Sequence, residues 1–538
     1  MLDLMNDLAQ RAQVPVATVV RAKRVEHGDL QINAAMQLAK AEKKQPREVA
    51  QRILDAIVGH EAVAKAEIAG PGFVNVFVRD AWLASHSGDC LRIRDIAGGQ
   101  RVVIDYSSPN VAKPMHIGHS RSTIIGEAIK RSLRAVGYDV VADNHLGDWG
   151  TQFGKLIVAY RNWLDEAAFT ADPVAELLRL YIKFQDETKK QGGEAKEDDE
   201  AAEGEKQPTP LMLEARAELV KLQAGDAANV ALWQRFIDLS MNEFNRVYRR
   251  LGVSFDVVLG ESFYNDRLAS TVQLLLDRGI AAPSRGALVV FFKKPDGTDE
   301  MPPAIVRKSD GGYNYSTTDI AGVLYRVERW NPSRIVVLTD DRQQLHFKQV
   351  WTIAKRLGVT CSLEHVWFGL MRLAEGTIST RDGNVIHLEV LLDEAEKRAY
   401  ELAKQHDEGF SEVELREIAR VVGMGAVKYN DLSKDRQTGV TFTWDKALSL
   451  AGNSGPYLQY AYARIQSILR KAADEGAAPG AIAQLVTSER VLLAKLYDFG
   501  AAVESVAAQT RPHLLCDYLY DLAGAFSTFY SEHPVLKA

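Results

Sequence analysis

Residues 107–119 read Ser107-Ser108-Pro109-Asn110-Val111-Ala112-Lys113-Pro114-Met115-His116-Ile117-Gly118-His119. A β-rich run precedes them at residues 101–106, and apolar residues then recur at helical spacing, at Ile117, Ile124, Ile125, Ala128, Ile129, Leu133 and Val136. Gly137 ends this helix, and residues 138–142 form the next predicted strand. The pattern is that of a βαβ unit, the repeating element of a parallel sheet.

The turn between the first strand and its helix carries His116, Gly118 and His119. Backbone amides at a helix N-terminus favour phosphate, and two imidazoles there can donate hydrogen bonds to phosphate oxygens as negative charge develops on them. Gly118 lets a flat ring approach the backbone. In this context the short motif predicts nucleotidyl transfer from ATP.

Composition argues against several classes of protein. The 538 residues include 65 basic and 71 acidic residues, a net charge of −6, so nucleic-acid binding would have to use local patches. Three cysteines lie far apart, which argues against a disulfide framework or structural zinc. No apolar run is long enough to cross a membrane, and the acidic start of the chain is unlike a signal peptide. We therefore expect a cytoplasmic protein with no membrane partner.

The pattern along the chain predicts three domains. We expect an α+β domain at residues 1–98, a Rossmann-like parallel-sheet domain at 99–390 and an all-α bundle at 391–538. The middle domain carries a mostly helical insertion at about 155–275. Within it, residues 189–210 are too polar to bury enough apolar surface and are predicted to be disordered.

The second half of the middle domain again alternates strands and helices. Candidate strands lie at residues 287–292, 334–339 and 366–368, with a helix at 345–357 between the last two. This alternation predicts that the strands complete the parallel sheet.

Four motifs resemble the class I aminoacyl-tRNA synthetases and, within them, the arginyl-tRNA synthetase family. They are Ser108–Gly126, Asn144–Gly154, Asp310–Ala321 and Gly425–Ser433, in the family's order over nearly the whole chain. The resemblance implies that L-arginine is activated by ATP to arginyl-adenylate and then transferred to the 3′ end of tRNA(Arg). It implies ATP with Mg²⁺ as substrate, no tightly bound cofactor and no protein-held metal. We expect a monomer.

The resemblance also implies which residues form the site. His116, His119 and Lys113 would be catalytic, and ATP would be bound by both histidines, Gly118, Ser379, Thr380 and Arg381. Arginine would be bound by Asn110, Asn144, Glu261, Tyr315, Asp319 and Gln343. This set fits the ligand, because a planar cationic fork needs carboxylates and a flat wall, and Tyr315 and Asp319 share one helical face.

The C-terminal bundle would read the anticodon. Tyr457, Tyr460 and Arg464 place aromatic and cationic groups where unstacked bases could stack. A core aromatic stripe would produce the same spacing. The family's helical domain usually continues past the motif found at residues 529–536, whereas this sequence stops at Ala538, and a natural or a truncated end fits equally.

One motif departs from the class I pattern. Two lysines normally grip the pyrophosphate from a loop after the last sheet strand, but Thr377 and Thr380 stand at these positions. The charge must be met elsewhere, by Lys113 or Arg381. The departure leaves open a noncatalytic paralogue that binds only tRNA or arginine. A third reading, a small-molecule adenylyl- or cytidylyltransferase, would not need the long helical bundle.

Overall fold

The computed structural model describes residues 1–22, 24–192, 209–309, 311–374, 387–405, 409–477, 480, 482, 484–533 and 535. The chain forms two compact units, one from Met1–Ile96 with Leu450–Ala538 and one from Ala97–Ser449. Residues 391–449 lie in the unit that contains the parallel sheet.

The N-terminal part of the first unit is a four-stranded antiparallel sheet in the order β1-β2-β4-β3, with helices packed on it. Its elements are α1 (Leu2–Ala12), β1 (Val19–Arg21), β2 (Leu30–Ile32), α2 (Ala35–Glu42), α3 (Pro46–Ile57), β3 (Val63–Ala69), β4 (Phe73–Val78) and α4 (Asp80–Ser85). Ile53 of α3 and Leu30 and Val74 of the sheet are fully buried, so the alternating strand residues form one core with the apolar helix face.

The second unit begins with the βαβ unit that the sequence predicts. Its elements are β5 (Arg101–Asp105), α5 (Ile117–Ala135), β6 (Asp139–Asp143), α6 (Thr151–Trp163), α7 (Glu166–Ala171), α8 (Pro173–Lys190), α9 (Pro210–Gln223), α10 (Ala227–Leu251), α11 (Asn265–Asp277), β7 (Ala281–Ser284), β8 (Ala287–Lys293), β9 (Asp299–Arg307), α12 (Tyr315–Trp330), β10 (Arg334–Asp340), α13 (Gln344–Arg356), β11 (Ser362–Phe368), β12 (Met371–Leu373), α14 (Leu388–Gln405), α15 (Glu412–Leu432), β13 (Val440–Phe442) and α16 (Trp444–Ala447).

The central sheet is parallel, in the order β11-β10-β5-β6. Val103 of β5 pairs with Val141 of β6 on one side and with Ile335 of β10 on the other. The strand order therefore reverses between β5 and β10. In doubly wound sheets ligands bind at such a switch point, beyond the carboxyl ends of the strands.

The strand predicted at 287–292 does not join this sheet, so that prediction was wrong. It is β8, the centre of a separate antiparallel sheet β7-β8-β9. Only Arg285 and Gly286 separate β7 from β8, and both have positive φ. A two-residue turn of this kind makes a hairpin, whereas a parallel neighbour needs a crossover of about a dozen residues or more.

The stretch predicted to be disordered is bounded by helices. Lys189 and Lys190 complete the last turn of α8, and Pro210 is the first residue of α9, capped by Thr209. The disorder prediction is therefore wrong at these edges, where helix-forming and capping residues extend the helices. Residues 193–208 lie outside the described residues.

The first and last motifs of the resemblance meet in one buried ion pair. Arg121 of α5 donates from Nε to Asp431 Oδ1 of α15 at 2.8 Å, and both side chains are at most 1% exposed. The guanidinium also donates to the backbone carbonyls of Gly369 and Thr438. The helix α5, whose N-cap is His116, is thereby fixed to the chain that follows the sheet.

Breaking this pair should strongly destabilise the fold. Asp431→Ala leaves the Arg121 guanidinium buried without its carboxylate, which should cost about 3–5 kcal/mol. Arg121→Met with Asp431→Leu should recover much of the loss, since it removes both charges. Urea unfolding of the parent and the two variants measures this. An Asp431→Ala variant as stable as the parent would contradict it.

The C-terminal part of the first unit is helical: α17 (Gly455–Asp474), α18 (Thr487–Leu496), α19 (Phe499–Gln509) and α20 (His513–Glu532). Arg490 of α18 bonds to Asp29 and Asp80 of the N-terminal part, and Tyr497 donates to the Leu83 carbonyl at 2.7 Å. The two ends of the chain thus form one unit. In the part of the chain that the structure describes, no helix is long and apolar enough to cross a membrane.

Candidate active site

The turn after β5 is held in a strained conformation. Ser107, Ser108 and Ala112 have φ of 75°, 49° and 63°, a region that costs a non-glycine residue about 1–3 kcal/mol. Buried partners over-determine the turn. The Ser108 amide donates to Asn144 Oδ1 at 3.1 Å, and the Ala112 amide donates to Ser240 Oγ at 2.9 Å. These hydrogen bonds make the turn rigid, and Lys113 and His116 follow directly from it.

The two histidines cap α5 reciprocally. The Gly118 amide donates to His116 Nδ1 at 3.0 Å, and the His116 amide donates to His119 Nδ1 at 3.1 Å. Because each Nδ1 accepts a backbone N–H, each neutral ring carries its proton on Nε2. A Cβ on Gly118 would lie 2.7 Å from His116 Cε1, so the flat ring that the glycine admits is that of His116 itself.

Both rings are neutral near pH 7. Burial lowers the pKa of His119 to about 3, and the positive charges of His116 and Lys113 act in the same direction. Burial also lowers the pKa of His116, again with Lys113 and His387 adding to the effect. The pair therefore offers two neutral Nε2–H donors and no positive charge.

Lys113 supplies a cation beside this pair. Its Nζ lies over the Tyr181 ring of α8, 4.7 Å from the centroid. Its charge is close enough to lower the pKa of both histidines. Positive charge at the turn therefore comes from Lys113 rather than from the imidazoles.

A second cluster lies where α12 and α13 begin. Tyr315 is the first residue of α12, and Asp319 follows one turn later. His346 of α13 bonds to Asp319 Oδ2 through Nε2 at 2.5 Å, and its ring centroid lies 4.7 Å from that of Tyr315. Burial opposes ionisation of Asp319, but the hydrogen bond from His346 and nearby positive charges, among them those of His145 and Arg326, together lower the pKa of this carboxyl. Gln343 is exposed, three residues before His346.

Glu261 lies in a short 3₁₀ turn, Glu261–Tyr264, that is interlocked with the chain after β6. Asp148 accepts from the Ser262 amide at 2.8 Å and from its hydroxyl at 2.7 Å. A Cβ on Gly260 would lie 2.2 Å from Asp148 Oδ2, which explains the glycine there. Asp148 thus fixes the turn that presents Glu261.

The Glu261 carboxyl is electrostatically coupled to Asp319. Burial raises the pKa of Glu261 to about 7; His145 opposes the rise, and the charges of Asp319 and Asp148 add to it. Burial also opposes charge on His145, but Asp105 and Asp319 raise its pKa overall. The cluster is a concentration of carboxylates, which is what a cationic ligand requires.

An ion triad anchors α12 to the carboxyl ends of two strands. Arg326 donates to Asp105 Oδ2 at 2.6 Å and to Asp143 Oδ2 at 2.8 Å, and all three side chains are buried. Asp105 ends β5 and Asp143 ends β6. Arg326 lies two turns after Asp319, so the triad fixes the depth at which Asp319 reaches the sheet edge.

The two predicted asparagines differ in environment. Asn110 is exposed and its Oδ1 lies where a Cβ of Gly147 would be, so the glycine admits its side chain. Asn144 is fully buried, accepts from Ser108 and donates to the Tyr248 hydroxyl at 3.1 Å. Asn144 therefore holds the strained turn in this structure.

Ser379, Thr380 and Arg381 lie outside the described residues, as does Thr377. Among the described residues, no group of three or more His, Cys, Asp or Glu side chains is arranged to hold a metal ion.

These features agree with the comparisons with known proteins. Residues 89–444 match the family described as tRNA synthetases class I (R), catalytic domain. Residues 3–78 match the arginyl tRNA synthetase N terminal domain, and residues 458–538 match the DALR anticodon binding domain. The chain belongs to the arginyl-tRNA synthetase family.

Members of the arginyl-tRNA synthetase family resemble the chain over almost its full length. An arginine–tRNA ligase of Fusobacterium nucleatum is 45% identical, over 99% of this chain and 91% of the relative. One of Pseudomonas aeruginosa is 43% identical, over 97% and 89%. The arginyl-tRNA synthetase structure from Thermus thermophilus has a TM-score of 0.78 at 24% identity, covering 98% of this chain and 91% of that one, and shares the fold. The predicted fold class is confirmed.

The aromatic residues expected at the anticodon lie on α17, in the unit that matches the DALR domain. Tyr460 is 52% exposed, and Arg464 lies 5.2 Å from its ring centroid and 5.4 Å from that of Tyr530. Tyr457 packs against Tyr520 at 5.7 Å. Tyr460 thus offers an accessible ring, whereas Tyr457 is half-buried.

The sequence alone did not predict His346 or the bracing role of Asp148. His346 follows β10 as His116 follows β5, in the first turn of the next helix. That position at the carboxyl edge of the sheet was the available signal. Its bond to Asp319 joins two different helices, and no local sequence pattern predicts such a bond.

Proposed function

We propose that the chain is an arginine–tRNA ligase that forms arginyl-adenylate from ATP and L-arginine and then esterifies the 3′ end of tRNA(Arg). Membership of the arginyl-tRNA synthetase family supports the reaction class. The observation that carries the proposal is the pairing of an α5 N-terminus with two neutral Nε2–H donors and a carboxylate pocket across the switch point.

The adenylation step would be driven by position and electrostatics. The α-phosphate would lie at the α5 N-terminus, where His116 and His119 donate from Nε2 to oxygens that gain charge in the transition state. ATP would enter with Mg²⁺ as substrate, and Gly118 with residues 379–381 would contact it. Lys113 would balance the pyrophosphate in place of the absent signature lysines.

The arginine guanidinium would be held by Asp319 and Glu261 against the Tyr315 ring. A planar cation with five donors fits two carboxylates and a flat face. Asn110 and Gln343, both exposed at the same edge of the sheet, would bind polar atoms of the amino acid. Asn144 would act indirectly, by accepting the hydrogen bond from the Ser108 amide that holds the turn in place.

ATP–pyrophosphate exchange with each amino acid, with and without total tRNA, tests the proposal. We expect exchange with arginine only, and efficient exchange only with tRNA present, as the family implies. If no amino acid supports exchange, the result would favour a noncatalytic paralogue. Exchange that needs neither amino acid nor tRNA would favour a small-molecule nucleotidyltransferase.

Arginine affinity should fall in acid because of Glu261. Its pKa is about 7 in the free enzyme, and a bound guanidinium would lower it, so binding below pH 7 must release a proton. The KM for arginine should rise as pH falls below about 7, by up to roughly tenfold per pH unit for one proton.

Calorimetry in buffers of different ionisation enthalpy measures this proton release directly. The control is Glu261→Gln, which should bind arginine more weakly but lose most of the pH dependence between pH 6 and 7.5. A Glu261→Gln enzyme with the parent's pH profile would contradict the assignment, and His145 would then be the titrating group.

The α17 surface would bind unstacked bases of tRNA(Arg). Tyr460→Ala should weaken tRNA affinity by roughly fivefold to a hundredfold, the worth of one stacked base, and leave the salt dependence unchanged. Arg464→Ala should instead reduce the slope of log affinity against log salt by about one if it contacts a phosphate. Filter binding at several salt concentrations separates the two. Unchanged affinity in both variants would contradict this surface.

We also propose a cytoplasmic location, a monomeric state and, as the family resemblance implies, an N-terminal domain that contacts the outer corner of the tRNA. Three domains at 1–98, 99–390 and 391–538 also remain proposed. The family matches break between 444 and 458, near the division at 449/450.

A further inference from the structure

We propose that His346 is a positioning residue for arginine recognition, which orients the Asp319 carboxylate through Nε2–H while leaving its negative charge for the substrate. The inference rests on the proposed function, since it takes Asp319 as the group that receives the guanidinium.

The contact is short and sheltered. His346 Nε2 lies 2.5 Å from Asp319 Oδ2, and the two side chains are 7% and 25% exposed. Asp319 belongs to α12 and His346 to α13, so the bond ties together the helices on either side of β10. The Asp319 side chain keeps 25% of its surface exposed, so a ligand can still reach it.

The proton on this imidazole can be placed. Among the residues that the structure describes, His346 Nδ1 is buried and has no hydrogen-bond partner. A proton there would be an unsatisfied buried donor, whereas a proton on Nε2 meets a carboxylate. The rings around it are those of Tyr315, at 4.7 Å, and Phe347, at 4.9 Å. The donor that fits this site is therefore Nε2–H.

An imidazole suits this position because it is not a permanent cation. A lysine or arginine bonded to Asp319 would cancel the charge that attracts the substrate guanidinium. One N–H donor to Oδ2 restricts the carboxylate to one orientation, and the pKa of Asp319 is lowered, so the carboxyl stays ionised. His346 also contacts the Tyr315 ring, so one side chain positions both the carboxylate and the flat wall.

The test compares arginine with citrulline, its neutral urea analogue, as substrate and competitor in ATP–pyrophosphate exchange. His346→Leu should raise the KM for arginine roughly tenfold to a hundredfold, the loss expected for one hydrogen bond to a charged group. The KM for ATP should change little, and inhibition by citrulline should change less than the KM for arginine, because a neutral urea gains less from a carboxylate than a guanidinium does. His346→Gln, which can still donate to Asp319, should recover most of the loss.

His365→Leu is the matched control. His365 stacks on Phe347 at 4.7 Å and bonds to Thr339 Oγ1 at 2.7 Å, with no bond to Asp319. It should leave the preference for arginine over citrulline unchanged. If His346→Leu does not fold, His346→Asn, which is too short to reach Asp319, replaces it with the same expectation.

Asp319→Ala distinguishes a failure of the proposed arginine pocket from a failure of the positioning role of His346. If that variant keeps the parent's KM for arginine, the proposed pocket fails and the role of His346 fails with it. If Asp319→Ala loses arginine but His346→Leu or His346→Asn keeps the parent's arginine-to-citrulline preference, only the positioning role is overturned. In the Asp319→Ala background, loss of His346 should add little.

Discussion

Replacing Asp319 by alanine should raise the KM for arginine by orders of magnitude and leave ATP binding nearly intact. Truncating one partner of a buried charge pair costs about 2–5 kcal/mol. That is roughly a 30-fold to several-thousand-fold loss of affinity. The carboxylate stands at the start of α12, braced by His346 and by the Arg326 triad, so the alanine should delete a contact without moving its neighbours.

A carboxylate on the same helix provides the control. Glu328 pairs with Arg267 at 2.7 Å on the surface, where ion pairs contribute about 0–1 kcal/mol, so Glu328→Ala should behave as the parent. Steady-state exchange with arginine varied at saturating ATP, together with thermal unfolding, measures both. An Asp319→Ala enzyme that activates arginine normally would show that the pocket lies elsewhere.

The local part of the site could be predicted from the sequence. His116, Gly118 and His119 act within one helix start, where strand, turn and helix follow each other along the chain. Tyr315 and Asp319 were implied by the family resemblance, and helical spacing places them on one face of α12. In both cases the residues lie within one element, so their proximity follows from local geometry.

What the sequence did not predict depends on contacts between distant segments. The bond between Asp319 and His346 spans two helices, and the one between Asp148 and Ser262 spans 114 positions. Composition and period carry no information on such pairs. The strand at 287–292 was misplaced for a different reason: strand and helix periods do not show which strand a segment pairs with, and here a two-residue turn pairs it with β7.

Replacing Lys113 by alanine should depress the rate of adenylation by about two to three orders of magnitude, with little change in stability. His116 and His119 are neutral, so they can donate hydrogen bonds but cannot balance the charge that develops on pyrophosphate. A preorganised cation in such a site is worth roughly 3–4 kcal/mol to the transition state.

Lys183→Ala is the matched control for Lys113. Lys183 lies over the Trp163 ring at 5.2 Å, as Lys113 lies over Tyr181 at 4.7 Å, but it is remote in sequence from the motif. Both substitutions remove a lysine–aromatic contact that involves α8: Tyr181 of α8 holds Lys113, and Lys183 of α8 lies on Trp163 of α6. Only the loss of Lys113 should slow single-turnover formation of arginyl-adenylate, so a rate loss shared by both variants would indicate a packing effect.

Restoring a lysine elsewhere in the Lys113→Ala enzyme is a sharper test of whether pyrophosphate needs a cation from the protein. Thr377→Lys or Thr380→Lys, made in the Lys113→Ala background, restores a lysine at the position where class I enzymes normally carry one. If pyrophosphate needs a cation from the protein, either change should recover part of the lost rate. An active Lys113→Ala enzyme would instead assign the charge to Arg381 or to the Mg²⁺ that enters with ATP, because the neutral histidines cannot supply it.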